Sequence, residues 1–144
     1  MRRALQMLAL VTDAFGGRGG IAQYNRDFLA TFIEVQAASS ILVLPRHAPD
    51  PVAPPAGINQ ARARSSRFRY SVAAFCAGLQ HRVDVVFCGH LYMAPLAALI
   101  ARLKRTKLIV QAHGIEAWVR PSRLCQAAID SADLVLCASR CKGC

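Results

Sequence analysis

Four glycines stand within five residues, at positions 16, 17, 19 and 20. Gly19 and Gly20 directly precede a stretch of helical periodicity, so the amino end of that helix lacks side chains. The free N–H groups and positive dipole end there can bind a phosphate, a carboxylate or a sugar hydroxyl. The alternative is that the glycines only permit a tight turn. Asp13, just before them, either reaches a ligand or caps this turn.

Two histidines follow predicted strands, where ligands bind in open α/β sheets. His113 ends an apolar run and precedes a glycine, and Glu116 lies three residues further on. An imidazole can donate a hydrogen bond to a hydroxyl or a phosphate, and a carboxylate can accept from hydroxyls. His90 stands in a similar position after Gly89. A structural role inside the fold is the alternative for both histidines.

The chain carries 15 arginines, three lysines and a net charge of +10. Four arginines cluster around the start of a predicted helix that also carries aromatic residues: Arg62, Arg64, Arg67 and Arg69. Arginine grips phosphates bidentately, and a basic amphipathic helix can lie on an anionic membrane. A solvated arginine face over a packed aromatic core is the alternative. No basic run resembles a nucleic-acid module, so we expect no nucleic-acid partner.

Three of the six cysteines, Cys137, Cys141 and Cys144, form a C-x3-C-x2-C pattern. This spacing occurs in the iron–sulfur motif of radical enzymes that use S-adenosylmethionine, but there it follows the first strand of a barrel. Three thiolates could also bind zinc with a fourth ligand from elsewhere. Chance explains the pattern better, and we expect no metal site.

Apolar runs of strand length alternate with segments of helical period. We predict strands over residues 5–11, 40–45, 83–88, 107–112 and 133–138, with a short one near 58–63. Strands that are apolar throughout are covered on both faces. No apolar stretch approaches the roughly 20 residues of a spanning helix, and residues 4–11 fit a buried strand better than a signal peptide. We therefore expect a cytoplasmic protein, with peripheral attachment at the inner membrane face as an option.

Four helices are predicted between these strands. The first begins near Ile21, and the second is capped by Ser65 or Ser66, with inward side chains Phe68, Val72, Phe75, Cys76 and Leu79. The third follows Pro95, with inward side chains Leu96, Leu99, Ile100 and Leu103. The fourth runs from Pro121 and Ser122 to about residue 131, and the proline-rich segment 46–58 is a loop. The alternation predicts an α/β fold, a Rossmann-like doubly wound parallel sheet with helices on both faces.

Four of these segments resemble, in order, elements of glycosyltransferase family 4. The run from Gly19 to Leu29 (GGIAQYNRDFL) is similar to its glycine-rich loop and first helix. Residues 89–97 (GHLYMAPLA) look like the fourth-strand region of one branch, and residues 113–116 (HGIE) resemble its HG-x-E element. Residues 132–140 (ADLVLCASR) are similar to a later strand of the family. The order and spacing of these four short segments hold over nearly the whole chain.

The resemblance implies one half of a GT-B fold, with residues 1–144 as the N-terminal, acceptor-side domain and a C-terminal donor-binding domain absent from them. It implies transfer of a sugar, with retention, from a nucleotide-sugar co-substrate to the hydroxyl of a glycan or lipid acceptor, with no cofactor. Gly19 and Gly20 would face the interdomain cleft, and His113 would lie near the reacting sugar. A separately encoded donor domain is then a possible partner, and these residues alone would be inactive.

Two other functions fit the same residues. Gly17, Gly19 and Ala22 match the G-x-G-x-x-G/A pattern of dinucleotide-binding domains, and Arg46 after the second strand suits the 2′-phosphate of NADP. Against this, Thr12 to Phe15 separate the first strand from the glycines, where the fingerprint allows no such gap. The other function is that of a non-catalytic binding module, which would contact a membrane through the arginine cluster.

Overall fold

The computed structural model describes residues 3–50, 52–114 and 119–137. Within them, six strands form one parallel sheet in the order β3-β2-β1-β4-β5-β6. The bounds of the strands are β1 Leu5–Val11, β2 Ala38–Pro45, β3 Ile58–Gln60, β4 Val85–Cys88, β5 Lys107–Ala112 and β6 Leu134–Cys137. This topology confirms the predicted α/β class and its Rossmann-like, doubly wound arrangement.

Four helices connect the strands: α1 Gly20–Glu34, α2 Arg67–Gln80, α3 Ala94–Lys104 and α4 Arg123–Ser131. A 3-10 turn, Leu91–Met93, precedes α3. The hydroxyls of Ser66 and Ser122 accept the N–H groups of Arg69 and Cys125, so the predicted serine cap of α2 forms and Ser122 caps α4 in the same way. Residues 46–57, apart from residue 51, hold no helix or strand, as the prolines predict.

The sheet has a hydrophobic core on each face. Met7, Ala9 and Val11 of β1 pack on the side of α1, and Leu8 and Leu10 pack on the side of the other three helices. This division follows from the alternation of side chains along a strand. Because β1 is apolar at both sets of positions, it occupies the centre of the sheet, as its sequence indicates.

The predicted inward face of α2 is wrong. The residues that α2 buries are Tyr70, Ala74 and Gly78, whereas Phe68, Val72, Cys76 and Leu79 are exposed and Phe75 is half-buried. A Cβ on Gly78 would come within 2.6 Å of Cγ2 of Ile100. The close approach of α2 and α3 therefore requires small residues at the contact, and it turns the large apolar side chains outward.

Two further predictions of burial fail. Of the inward residues expected in α3, only Ile100 is buried and Leu96 is half-buried, while Leu99 and Leu103 are exposed. Alanines at positions 94, 97 and 101 fill the contact instead. Strand β6, expected to be covered on both faces, exposes Leu134 and Val135, because within the described residues it is an edge strand paired only with β5.

No helix within residues 3–50, 52–114 and 119–137 has both the length and the apolar character needed to span a membrane. Residues 4–11, the stretch weighed as a signal peptide, contain β1.

Two aspartates stabilise the amino-terminal edge of the sheet in the same way. A carboxylate oxygen of Asp84 accepts the N–H of Gln6 at 2.9 Å, and one of Asp133 accepts the N–H of Leu108 at 2.8 Å. These backbone hydrogen bonds are the main reason that the pKa of each carboxyl lies below its usual range. The ionised carboxylates therefore complete the ends of β1 and β5.

We expect Asp84→Asn to lower the free energy of unfolding at pH 7 by about 1 kcal/mol, because a charged acceptor is replaced by a neutral one. The folded-state pKa of Asp84 is depressed, so its contribution is present above the unfolded pKa, near 4, and is lost as pH falls below it. Urea unfolding between pH 7 and pH 3 should show a flatter acid dependence in the variant.

Asp50→Asn is the matched control, because among the described residues the Asp50 carboxylate pairs with the exposed side chain of Arg18 alone. An equal effect of the two substitutions on the acid dependence would contradict the role assigned to Asp84.

Candidate functional site

The carboxyl ends of the parallel strands meet at one edge of the sheet, and most predicted site residues lie there. β1 leads into the segment from Asp13 to Gly20, β4 into Gly89 and His90, and β5 into His113. In open parallel sheets this edge is where ligands bind. The candidate site is therefore built on the tips of β1, β4 and β5, with α1 above them.

The glycine-rich segment is held against these tips by side chains from other elements. Nη1 of Arg26 donates to the carbonyls of Ala14 and Gly17, at 2.9 Å each. The amide of Gln60, at the end of β3, accepts the N–H of Phe15 at 3.1 Å and donates to its carbonyl at 2.6 Å. These contacts fix the path of the loop into α1.

The amino end of α1 is open. Gly19 precedes the helix with φ 91° and ψ 178°, a conformation that essentially only glycine adopts, and no side chain among residues 3–50, 52–114 and 119–137 caps the helix. Gly20 does not have a positive φ, and a Cβ at either glycine would meet no atom of the described residues within 4 Å. Backbone geometry therefore explains glycine at position 19, whereas neither geometry nor packing requires it at position 20. Within the described part of the chain, no atom fills the space around a Cβ at either glycine, so the first-turn N–H groups can be reached by a ligand there.

His113 lies at the same edge and is 8% exposed. Its Nε2 donates to the carbonyl of Gly89 at 3.0 Å, and its ring meets the ring of Tyr24 edge-on with centroids 5.7 Å apart. Tyr24 is one helical turn from Gly20. His113 is thus a buried residue whose ring orientation is fixed by β4 and α1, and its place near a ligand stays a prediction.

A buried polar group beneath α1 was missed by the sequence reasoning. The hydroxyl of Tyr24 donates to Oε1 of Gln111 at 2.8 Å, and Nδ2 of Asn25 donates to the carbonyl of Asp13 at 2.9 Å. Gln111 and Asn25 are fully buried, and burial raises the pKa of Tyr24. The signal was available, because Asn25 shares a helix face with Ala22 and Leu29, and a polar residue on such a face must find a partner.

The side chain of Asp13 lies within the glycine turn. It packs against Gly17, where a Cβ would lie 2.7 Å from that of Asp13, and its carboxylate accepts from the hydroxyl of Thr12 at 3.4 Å. Burial is the main cause that raises the pKa of the carboxyl. Asp13 therefore belongs to the folded loop, and its main-chain carbonyl joins the loop to α1.

His90 has a structural contact at the tip of β4. Its Nδ1 accepts the N–H of Tyr92 at 3.4 Å, which caps the 3-10 turn, and its ring lies 4.4 Å from that of Tyr92. The Tyr92 hydroxyl accepts from Nη1 of Arg46 at 2.9 Å. This places Arg46, at the end of β2, on the side of the sheet covered by α2 and α3.

The four predicted arginines are exposed and lie at the start of α2: Arg62, Arg64, Arg67 and Arg69. They are separate from the group around His113. Glu116, Cys141 and Cys144 lie outside the described residues, and Cys137 ends β6 with its side chain exposed.

Two observed features differ from those expected of a dinucleotide-binding domain. Ala14 and Phe15, between β1 and the glycines, are buried in the core on the α1 side, so the strand-to-helix turn is longer than the fingerprint requires. Arg46, the residue suited to a 2′-phosphate, points instead to Tyr92 and to the carbonyl of Ser65. NADP binding stays an untested prediction.

No protein-family model matches this chain, and a search of curated proteins finds no significant match. The resemblance to family 4 glycosyltransferases therefore rests on the four short motifs alone.

We expect Gly19→Ala to lower the free energy of unfolding by about 1–3 kcal/mol, because alanine is strained at this φ and ψ. Gly20→Ala is the matched control in open space, and we expect it to be neutral or stabilising by up to about 1 kcal/mol. Urea unfolding followed by circular dichroism measures both. Equal losses in the two variants would mean that the loop conformation described above is wrong.

Proposed function

We propose that this chain is the acceptor-side domain of a GT-B glycosyltransferase that moves a sugar from a nucleotide-sugar donor to a hydroxyl of a glycan or lipid. The observation that carries the proposal is the open amino end of α1, which begins at Gly20 one turn from the Tyr24 and His113 contact. A helix end that is free of side chains suits the diphosphate of such a donor or a hydroxyl of the acceptor.

The chemistry assigned to this edge is binding and orientation. The N–H groups of the first turn of α1, with the positive end of its dipole, stabilise the negative charge that develops on a departing phosphate. His113 presents a ring whose position is set by Gly89 and Tyr24, next to where the acceptor hydroxyl would lie. Glu116, by resemblance, would accept hydrogen bonds from sugar hydroxyls. The proposal involves no metal.

A second candidate function, attachment to an anionic membrane, is favoured by the outward face of α2. Phe68, Val72 and Leu79 form an exposed apolar stripe along this helix, and Phe68 is 78% exposed. The four exposed arginines around the start of α2 supply positive charge beside it. An exposed apolar stripe flanked by cations is the pattern of a helix that lies in a membrane interface. The two functions are compatible, since a lipid acceptor would be met at such a surface.

For sugar transfer, we expect the purified 144 residues alone to show turnover at background level, because the transition state needs groups from both walls of a cleft. The chain expressed together with any coding sequence that follows Cys144 should transfer sugar with retention. In that longer protein, Gly20→Leu should lower turnover about 100-fold by filling the ligand space. A radiolabelled nucleotide-sugar assay measures each case.

Gln23→Leu, also exposed on α1, is the control and should leave turnover unchanged. Clear turnover by the 144 residues alone would contradict the two-wall proposal, and equal effects of the two leucines would contradict the role of Gly20.

For membrane attachment, we expect Phe68→Ala to weaken binding to vesicles rich in phosphatidylglycerol about ten-fold, because an aromatic side chain no longer enters the interface. Its unfolding free energy should change by less than about 0.5 kcal/mol, since the side chain is exposed. Leu124→Ala on α4 is the control at similar exposure, 73%. Co-sedimentation that is indifferent to Phe68, to salt and to anionic lipid would eliminate this function.

A further inference from the structure

A small cavity opens between the start of α2 and the 3-10 turn at Leu91–Met93, on the side of the sheet opposite α1. Its volume is about 220 Å³. The apolar walls come from Tyr70, Met93 and Leu96, and the polar ones include Arg46, Arg67 and Tyr92. This is smaller than the roughly 300–1,000 Å³ of pockets for drug-sized ligands, so it suits one small charged group and a few attached carbons.

The two arginines in this cavity bring positive charge that no carboxylate balances among the described residues. The ion pairs there join Arg18 to Asp50, Arg82 to Asp84 and Lys107 to Asp133. Neither Arg46 nor Arg67 takes part in one. Two unbalanced guanidinium groups at one cavity favour an anion, and their planar N–H donors match phosphate oxygens in particular.

The cavity is already organised around Arg46. Its guanidinium donates to the Tyr92 hydroxyl and to the carbonyl of Ser65, and its main-chain N–H donates to the carbonyl of Thr12 at 3.0 Å. Its Nε–H is buried and has no acceptor in the described part of the chain. The Tyr92 hydroxyl accepts from Arg46, and no acceptor for its own proton lies among the described residues, so that proton can be donated to a ligand. The cation and the hydroxyl are thus held in place before any ligand arrives.

The walls beneath these groups are fixed by packing. Tyr70 is buried, and its hydroxyl donates to the carbonyl of Leu44 at 2.6 Å, so its ring rather than its hydroxyl forms the wall. Met93 is also buried. A ligand that fits therefore places its charge toward Arg46, Arg67 and Tyr92 and its carbon atoms against Tyr70, Met93 and Leu96.

We propose that this cavity binds a phosphomonoester group through Arg46, Arg67 and the hydroxyl of Tyr92. Where the proposed glycosyltransferase function holds, this makes the acceptor a phosphorylated molecule, and the phosphate is a handle that orients it rather than a reacting group. The binding itself does not rest on sugar transfer, because it needs only residues within this chain.

The test is a titration of the isotope-labelled 144-residue chain with glycerol 3-phosphate and with inorganic phosphate, followed by amide NMR. We expect saturable binding with a Kd on the order of 1 mM, with shifts at Ser71, Tyr92 and Met93. Arg67→Gln should weaken it about ten-fold, since Arg67 has no other polar contact among the described residues to lose. Tyr92→Phe should weaken it about five-fold.

Arg69→Gln is the matched control, because it removes the same charge two residues away, outside the cavity. We expect it to change the Kd by less than two-fold. Equal weakening by Arg67→Gln and Arg69→Gln would overturn the proposal in favour of diffuse electrostatic attraction. Shifts confined to Gly19 and Gly20, or no saturation by either phosphate, would also overturn it.

Vesicles of phosphatidylglycerol separate a lipid phosphate from a soluble one. If binding to vesicles depends on Arg67 but glycerol 3-phosphate does not bind, the proposed phosphate site in the cavity is wrong. That result would favour lipid binding on the exposed face of α2. Failure of sugar transfer by the longer protein, with phosphate binding intact, would remove the glycosyltransferase proposal and leave the cavity standing.

Discussion

Three elements of the site edge converge on Gly89, which follows β4. Its N–H donates to the carbonyl of Leu10 at 2.7 Å, and its carbonyl accepts from His113. A Cβ at this position would lie 3.0 Å from Cγ1 of Val11 and 3.5 Å from Oδ1 of Asn25. A side chain at position 89 would crowd the tip of β1, so glycine there favours the close packing of β1 and α1 against this turn. The orientation of His113 beside the open end of α1 depends on this contact.

The open end of α1 and the cavity beside Tyr92 both adjoin the carboxyl end of β1. On one side, the loop after β1 leads through Gly19 into α1. On the other, the main chain of Arg46 donates to the carbonyls of Val11 and Thr12, and its side chain forms part of the cavity beside Tyr92. Hydrogen-bond donors thus face the edge from both sides of the sheet. Such an arrangement suits ligands that carry negative charge, and both sites proposed at this edge take an anionic group.

The large apolar side chains on the outward face of α2 are exposed because of the way this helix packs. Ala74 and Gly78 make the close contact with the sheet and α3, so the larger apolar side chains point to solvent. Single exposed apolar residues are common in folded proteins, whereas a stripe of them along one helix, beside four arginines, is the feature on which the proposed membrane attachment rests. The same close packing explains both the failed burial prediction for α2 and the exposed stripe from which membrane attachment is proposed.

The sequence alone determined the parallel α/β fold, because wholly apolar strands alternating with helical stretches leave few other topologies. It also placed Gly19, Gly20, His90 and His113 at strand tips, since a position just after a strand can be read from the chain. Tertiary structure alone decided which face each helix buries and which polar groups meet. Periodicity locates an apolar stripe on α2, but the distance between helices decides whether leucine or glycine fits at the contact. Likewise Asn25, Gln111 and Arg46 gain their partners from residues distant in sequence, through contacts that only the folded chain creates.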